Sequence, residues 1–408
     1  MIELNVDLRD SANQIADILL ETSISDGRCA TWLGPTIRSA SGEDQAIQRT
    51  GDATLYDGSA GIALACSSVA GVLRRDDLMD LAVRSVRHAI SSCERVGGTG
   101  LYDGIGGIGL AALVVGARST DGSLRDCGLR LLARVGAAEA SGNDLISGRA
   151  GTALAFLRAA TLTGDEQWFE LANRAGRALV ERADRRPWGW CWPEGNEDPG
   201  LCGLAHGSAG PAWVLQELAG ADHAGNAFDE AIAGARQYER SWFNAAKSNW
   251  PDLRPGVSTP AAAPPHPTYW CHGSVGIGLS RLAMQRLRPH PGLVAEAAAA
   301  LQSACAAAVD ELSAGKVPHG LTICHGIAGT IELLLEAHLV LGDDEHLEMA
   351  RWFARQAIEL LGPEVEAWPG GVQDHPGPGL MSGLAGAMCV LTRTTAPESL
   401  GSVALLAL

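Results

Sequence analysis

Cys271, Cys324 and His325 are the residues of this chain whose types fit one piece of chemistry together. They stand in Trp270-Cys271-His272-Gly273 and Cys324-His325-Gly326, and each run leads at once into an apolar helical pattern, GSVGIGLSRL in the first and GIAGTIELLL in the second. Thiolate and neutral imidazole are the donors zinc prefers, and a catalytic zinc keeps its fourth position for water or substrate. Two adjacent donors and one remote donor fit a site at the ends of two neighbouring helices. The remote donor lies about fifty residues away and no CxxC is present, so the spacing is not that of a zinc finger. Residue type alone leaves a second reading open. Free Cys is among the most buried residue types, and small buried cysteines at helix starts, with His325 satisfied by a carbonyl, fit the same letters.

What must position these donors is a repeat. Seven segments share a turn, a Gly-x-x-Gly and an apolar helical run: DGSAGIALA from Asp57, DGIGGIGLA from Asp103, SGRAGTALA from Ser147, HGSAGPAWV from His206, HGSVGIGLS from His272, HGIAGTIEL from His325 and SGLAGAMCV from Ser382. Their first glycines, Gly58, Gly104, Gly148, Gly207, Gly273, Gly326 and Gly383, are spaced 44 to 66 residues apart. That is room for the apolar helix, a turn, a second helix and a loop. Second helices show in the segments beginning at Arg74, Gly122, Glu166 and His346, where apolar residues recur at helical intervals among charged ones. SANQIADILLETSI reads as an outer helix for the first repeat. The motif helices are apolar nearly all round, as inner helices must be, and their partners are amphipathic, as an outer ring must be. Glycines at a helix start let neighbouring backbones approach and leave N–H groups facing the open end. The repeat therefore predicts an all-α fold, an α/α toroid of seven inner and seven outer helices, in one domain spanning residues 1–408. The motif turns would lie on one face around a central cavity. Strand signals are few. The Pro- and Ala-rich stretch from Asn249 to Tyr269 reads as a loop, as does RRPWGWCWPEGNEDPG, whose three Trp suggest a rim or substrate wall.

Composition bounds the function. With 46% hydrophobic and 19% charged residues a large core is expected and disorder is not. The net charge of −16 argues against nucleic acid as a partner, because a phosphate backbone demands basic surface. No stretch reaches eighteen uninterrupted apolar residues, so no membrane span is expected. MIELNVDLRD has neither a basic n-region nor an apolar h-region, so no secretory signal is expected. The ten cysteines are scattered rather than framework-spaced, which points to a reducing, cytoplasmic setting.

Through all seven glycine motifs, and most specifically at WCHG, CHG and GLAHG, the chain resembles the lanthionine synthetase C (LanC) family, the cyclases that make thioether rings in lanthipeptides. The run from Trp270 to Leu279 is similar to the cyclase domain of bifunctional class II synthetases, whereas nisin-type stand-alone cyclases tend to have Tyr after the Cys. The chain looks like a free-standing cyclase, without room for a dehydratase domain ahead of it. The resemblance implies an α/α toroid with a zinc ion at its centre. It places the zinc ligands on Cys271, Cys324 and His325, the catalytic histidine on His206 in Gly203-Leu204-Ala205-His206-Gly207, and the catalytic aspartate on Asp144 in Asp144-Leu145-Ile146-Ser147-Gly148. The arginine that nisin-type members carry four residues before the first zinc cysteine is here Pro267, so that role is absent or filled from elsewhere, for instance by Arg254. His272 replaces the family's Tyr and is a candidate second acid/base.

The implied reaction is Michael-type addition of a peptide Cys thiol to dehydroalanine or dehydrobutyrine in a dehydrated precursor peptide, with a separate dehydratase as second partner. A thiol is mostly protonated at neutral pH and must become thiolate, and the addition leaves a carbanion that needs a proton. His206 suits that step because a histidine pKa lies near working pH; Asp144 would orient it. Each residue also has a plain reading. His206 alone fits a capping histidine before Gly207, Asp144 an N-cap or turn residue, and His272 a donor to a carbonyl. Asp57 and Asp103 read as structural caps. Cys191 and Cys202 are rejected as a fourth ligand, since a closed site would exclude substrate. His266, His290, His319 and His375 read as loop residues. Two other functions compete: addition of glutathione to dehydrated residues by a LanC-like enzyme, and a non-catalytic scaffold for a modifying enzyme. A glycosidase-type α/α barrel needs paired carboxylates, and no Asp/Glu pair stands out above the Cys/His set.

Overall fold

A computed structural model describes residues 6–40, 43–50, 52–193, 199–221, 227–254, 257, 263–370 and 377–407. Among them are fourteen α-helices. In chain order they are α1 (Leu8–Glu21), α2 (Ser59–Leu73), α3 (Asp76–Ser92), α4 (Ile105–Arg118), α5 (Gly122–Ala137), α6 (Arg149–Thr163), α7 (Glu166–Arg182), α8 (Ala209–Ala221), α9 (Asp229–Trp242), α10 (Ser274–Leu287), α11 (Pro291–Ser313), α12 (Ile327–Leu341), α13 (Asp344–Leu361) and α14 (Leu384–Thr395). Every one of the seven glycine motifs opens an even-numbered helix.

The two helix classes predicted from hydropathy are both present. In α10 every residue from Ser274 to Met284 is buried, and in α12 every residue from Ile327 to Ala337. In α3 only one stripe is buried, Leu78, Leu81, Ala82, Ser85, Val86 and Ala89 among its members. In α13 the stripe is Ala350, Phe353, Ala354 and Ala357. Each large aliphatic side chain removed from water contributes about 1.5–3 kcal/mol, so the motif helices contribute more of the core than their partner helices do. The N-termini of α2, α6, α12 and α14 lack side-chain caps, and there the motif glycine stands at the cap position with extended backbone, as Gly148 does at φ −100° and ψ −167°. The partner helices α7 and α13 instead start on capping aspartates, Asp165 and Asp343.

The chain divides into two compact units: Met1–Gly97, Gly107–Leu131 and Ala308–Leu408 form the first, and Gly98–Gly106 and Leu132–Ala307 the second. In the first unit, α1 is not the partner of the first repeat. It packs on α14 and only grazes α2, so the N-terminal helix covers the last repeat and α3 covers α2. An apolar stripe says that a helix is covered but not by what. Buried Arg393 of α14 pairs with Glu332 and Glu336 of α12, and Glu332 also accepts from the Ser402 hydroxyl at 2.5 Å, which fastens the C-terminal tail.

In the second unit, Arg281 of α10 is fully buried between Glu239 of α9 and Glu296 of α11, and Glu296 is reached in turn by Arg236 and Arg240. Burial pushes the Glu296 carboxyl up, but Arg281 and Arg236 outweigh it and bring it down to about 2. A depressed carboxyl contributes stability above its unfolded pKa and loses it as pH falls through the folded value. Stability is thus expected to decline by up to about 1.4 kcal/mol per pH unit from this group as pH falls from the unfolded carboxyl range toward 2. Urea unfolding across that window, beside Glu296→Gln, checks it, since the variant should show a flatter profile.

Helix α11 is long and apolar enough to cross a membrane by length and composition. Its hydropathy comes from alanine, and its inward stripe (Leu293, Ala297, Ala300, Leu301, Ala304) is packed in the second unit with Glu296 beside it.

Strand content is larger than the sequence suggested. Antiparallel hairpins are formed by β1 (Ile24–Ser25) with β2 (Ala30–Thr31), β3 (Leu33–Ala40) with β4 (Glu43–Thr50), and β5 (Asp184–Arg186) with β6 (Gly189–Cys191). The last hairpin corrects the reading of the tryptophan-rich stretch as a loop with a rim of rings. Trp190 packs on Gly234 of α9, whose missing Cβ admits the indole, and buried Trp192 donates its Nε1–H to the Leu179 carbonyl at 2.8 Å. Only Trp188, in the hairpin turn, is exposed. The stretch from Asn249 to Tyr269 is free of helix where described, as expected, but Asn249, Trp250 and Asp252 within it are buried.

Candidate active site

The motif turns are laced to one another by backbone hydrogen bonds. In the second unit Tyr102 N–H donates to Ile146 O at 3.0 Å, Leu145 N–H to Ala205 O at 3.0 Å, and Ala205 N–H to Cys271 O at 3.3 Å. In the first unit Cys324 N–H donates to Met381 O and Met381 N–H to Tyr56 O, both at 2.9 Å. Residues far apart in sequence are held at successive turns by groups that every residue type carries.

On this frame Asp144 and His206 meet. His206 Nδ1 lies 2.6 Å from Asp144 Oδ2, while Asp144 Oδ1 accepts the N–H groups of Ser147 and Gly148 at 2.9 and 2.8 Å. Asp144 thus ties its own turn with one oxygen and contacts His206 with the other, so the turn contact and the histidine contact coexist. With one oxygen pinned by the turn, the other has a fixed direction and fixes the His206 ring. The His206 ring is stacked on that of His272, with centroids 5.7 Å apart and planes 24° from parallel. His272 is buried, and its Nδ1 makes no hydrogen bond among the described residues, so the carbonyl partner expected of a structural histidine is not found at that atom. Burial pushes its imidazole below the ordinary value, against the pull of the neighbouring Cys271 sulfur. Arg254 grips buried Asp252 through three side-chain contacts of 3.0, 3.1 and 2.6 Å. Its charge bears on His272, but its guanidinium is committed to Asp252.

Cys271, Cys324 and His325 offer two sulfurs and an imidazole nitrogen that lie within 4.8 Å of one another, a group able to hold a metal ion. Both cysteines are buried and His325 half-buried. His319, read as a loop residue, has its ring 6.0 Å from that of His325. The signal was present: His319-Gly320 repeats the His-Gly pair six residues before His325-Gly326. The Trp270 ring stands edge-on to Tyr102 at 5.3 Å.

One glycine holds the Cys271 turn together. Gly273 has φ +86°, and a Cβ there would sit 1.7 Å from the Pro267 carbonyl oxygen, which accepts from Ser274 N–H at 3.3 Å. The backbone of Pro267, not a side chain, is thus what this position contributes. Gly273→Ala is expected to cost more than the about 1–3 kcal/mol of the conformation alone, read as a lowered denaturant midpoint.

Asp57 and Asp103, expected as structural caps, reach beyond their own turns. Asp57 accepts the Ser382 hydroxyl and its N–H, the latter at 2.9 Å, and Asp103 accepts the Ser147 hydroxyl at 2.5 Å. Each ties its turn to a neighbouring motif. Cys191 and Cys202 lie in an apolar cluster with Tyr238, Trp250 and Ile277, and burial pushes the Cys202 thiol well above its ordinary value. Among the described residues no cysteine is joined in a disulfide. His375 lies outside the described residues.

Comparison with known proteins follows the same lines. The family model described as lanthionine synthetase C-like protein matches residues 50–405. No curated protein matches in sequence. Among solved structures, nisin cyclase is 19% identical with a TM-score of 0.65 over 86% of this chain and 90% of that one. The GH76A α-1,6-mannanase from Salegentibacter sp. is 11% identical with a TM-score of 0.50 over 96% and 100%. A GH76 α-mannanase from Bacteroides thetaiotaomicron is 11% identical with a TM-score of 0.51 over 96% of each chain. At these identities the likeness is one of fold, the all-α, α/α-toroid fold that the seven helix pairs predicted.

Proposed function

Because the chain belongs to the lanthionine synthetase C-like family, we propose that it is a zinc-dependent cyclase that closes lanthionine and methyllanthionine rings in a dehydrated precursor peptide. The observation that carries this reading is the Cys271, Cys324 and His325 group. Two thiolates and one imidazole are a donor set that suits zinc and leaves a fourth position for substrate. Zinc held there would lower the pKa of a substrate thiol and present it as thiolate near neutral pH.

The chain's own residues supply the proton chemistry. With Nδ1–H donated to Asp144, His206 has Nε2 as the ring nitrogen that delivers a proton. The substrate sulfur adds to Cβ of the dehydro residue, the C–S bond forms, the C=C bond becomes single, and the electron pair moves to Cα and its carbonyl. His206 gives its proton to Cα and is recharged by the proton the thiol has lost, so the reaction is an isomerisation with nothing left over. Asp144 holds the imidazolium in place and balances its charge. Buried His272, stacked beneath His206, limits the directions in which that ring can turn and is a second proton carrier for the same step. The dehydro residues would come from a dehydratase acting first.

The test uses a dehydrated peptide bearing free cysteines. Ring closure leaves its mass unchanged and removes one alkylatable thiol per ring, so N-ethylmaleimide adducts are counted by mass spectrometry. Zinc-loaded protein should lower the count, and chelation should stop it. Added glutathione separates the competing activity, because its addition raises the peptide mass. Unchanged thiol counts with zinc-loaded protein would overturn the reading and favour a scaffold.

A further inference from the structure

The His206 turn is held from outside by a buried ion-pair chain that the reaction itself does not use. Gly203, three residues before His206, has φ +115°, and a Cβ there would lie 2.7 Å from the Cys271 carbonyl oxygen and 3.1 Å from His272 Cα. Only glycine lets the His206 turn sit this close to the Cys271 turn. The Gly203 N–H donates to Glu239 Oε1 at 3.1 Å, and Gly203 O accepts from Ala209 N–H at 3.2 Å. Glu239 has no exposed surface. Its other oxygen is held by Arg281 Nη2; Arg281 Nη1 donates to Ser280 Oγ at 3.0 Å and Nε to Glu296 at 2.5 Å.

A buried ion pair seldom adds net stability, since desolvation of both charges offsets their attraction. An apolar pair would fill the same space between α9 and α10. What an apolar pair could not do is accept the Gly203 N–H. That donor sits at a backbone conformation open only to glycine, and the peptide it belongs to sets where Ala205 and His206 follow. Arg281, anchored to α11 through Glu296, fixes the carboxylate in turn.

We propose that Glu239, oriented by Arg281, is a positioning residue for His206: its carboxylate fixes the Gly203 peptide and so aims the His206 ring at Asp144 and at the substrate. The inference rests on the reading of His206 as the proton donor, but its first readout does not need turnover. Two double variants isolate the acceptor. Glu239→Gln with Arg281→Met removes both charges and keeps an oxygen for Gly203 N–H. Glu239→Leu with Arg281→Met keeps the volume and removes that oxygen. Both are compared by thermal melting, so that any loss of fold is seen directly.

In zinc-loaded protein labelled with ¹⁵N-histidine, the downfield Nδ1 proton of His206, assigned by its loss in His206→Ala, should persist in the Gln/Met variant. It should broaden or move in the Leu/Met variant. In the thiol-count assay the Leu/Met variant should lose kcat by about 10²-fold, as expected of a catalytic group misplaced by about 1 Å, with KM little changed, and the Gln/Met variant should recover most of it. On a His206→Ala background the Leu/Met pair should cost nothing further, because both changes remove one function. Equal signals and rates in the two double variants overturn the proposal, as does full additivity with His206→Ala. If the wild-type chain closes no rings, the histidine spectrum still decides the positioning, while the cyclase reading fails separately.

Discussion

A Cys324→Ala chain should come off purification without zinc where the wild-type chain carries about one ion. Cys324 is one of three donors grouped within 4.8 Å, and two protein donors do not hold the ion against water and chelator. The substitution should leave the fold intact. The Cys324 side chain is small, and its turn is held by the backbone bond from Cys324 N–H to Met381 O at 2.9 Å, which alanine keeps. Second-layer changes around metal sites already cost 10–100-fold, so loss of a ligand should lower ring closure by more than about 10²-fold. Elemental analysis beside the thiol count checks both. A variant that retains stoichiometric zinc removes Cys324 from the ligand set and the mechanism with it.

His206→Ala should separate metal from proton chemistry. Zinc content is expected to match the wild type, because His206 is not among the grouped donors. Ring closure is expected to fall by about 10²–10⁴-fold, the usual contribution of a positioned acid or base. Asp144→Asn is the sharper companion. Its side-chain oxygen still accepts from Ser147 and Gly148, so the turn survives, but an amide facing His206 Nδ1 offers N–H where an acceptor stood. The ring then turns or changes tautomer, and kcat should drop with little change in KM or melting temperature. A normal rate in Asp144→Asn would return Asp144 to the role of a turn residue.

The seven helix pairs were legible because hydropathy has a period and the motif glycine marks each helix start; α2, α4, α6, α8, α10, α12 and α14 all begin within two residues of it. The partner of α1 was not legible, since an apolar stripe fits any apolar groove of the right width, and α14 rather than α2 supplied it. The β5–β6 hairpin was missed because Trp and Gly in alternation signal a turn as readily as a strand, and burial of Trp190 depends on Gly234 some forty residues on.

By itself the sequence determined the helix plan, the donors suited to a metal and the side chains able to carry a proton, since these follow from residue type and from periodicity within one segment. Which of them meet was decided by the tertiary structure. Asp144 and His206, sixty-two positions apart, come to 2.6 Å only because backbone groups lace one motif turn to the next. The grip of Glu239 on Gly203 shows in no local pattern at all, since a carboxylate on an outer helix reads as solvent-facing until α10 and its arginine are packed against it. Backbone hydrogen bonds and the matching of buried charges are properties of assembled surfaces, and no single segment records them.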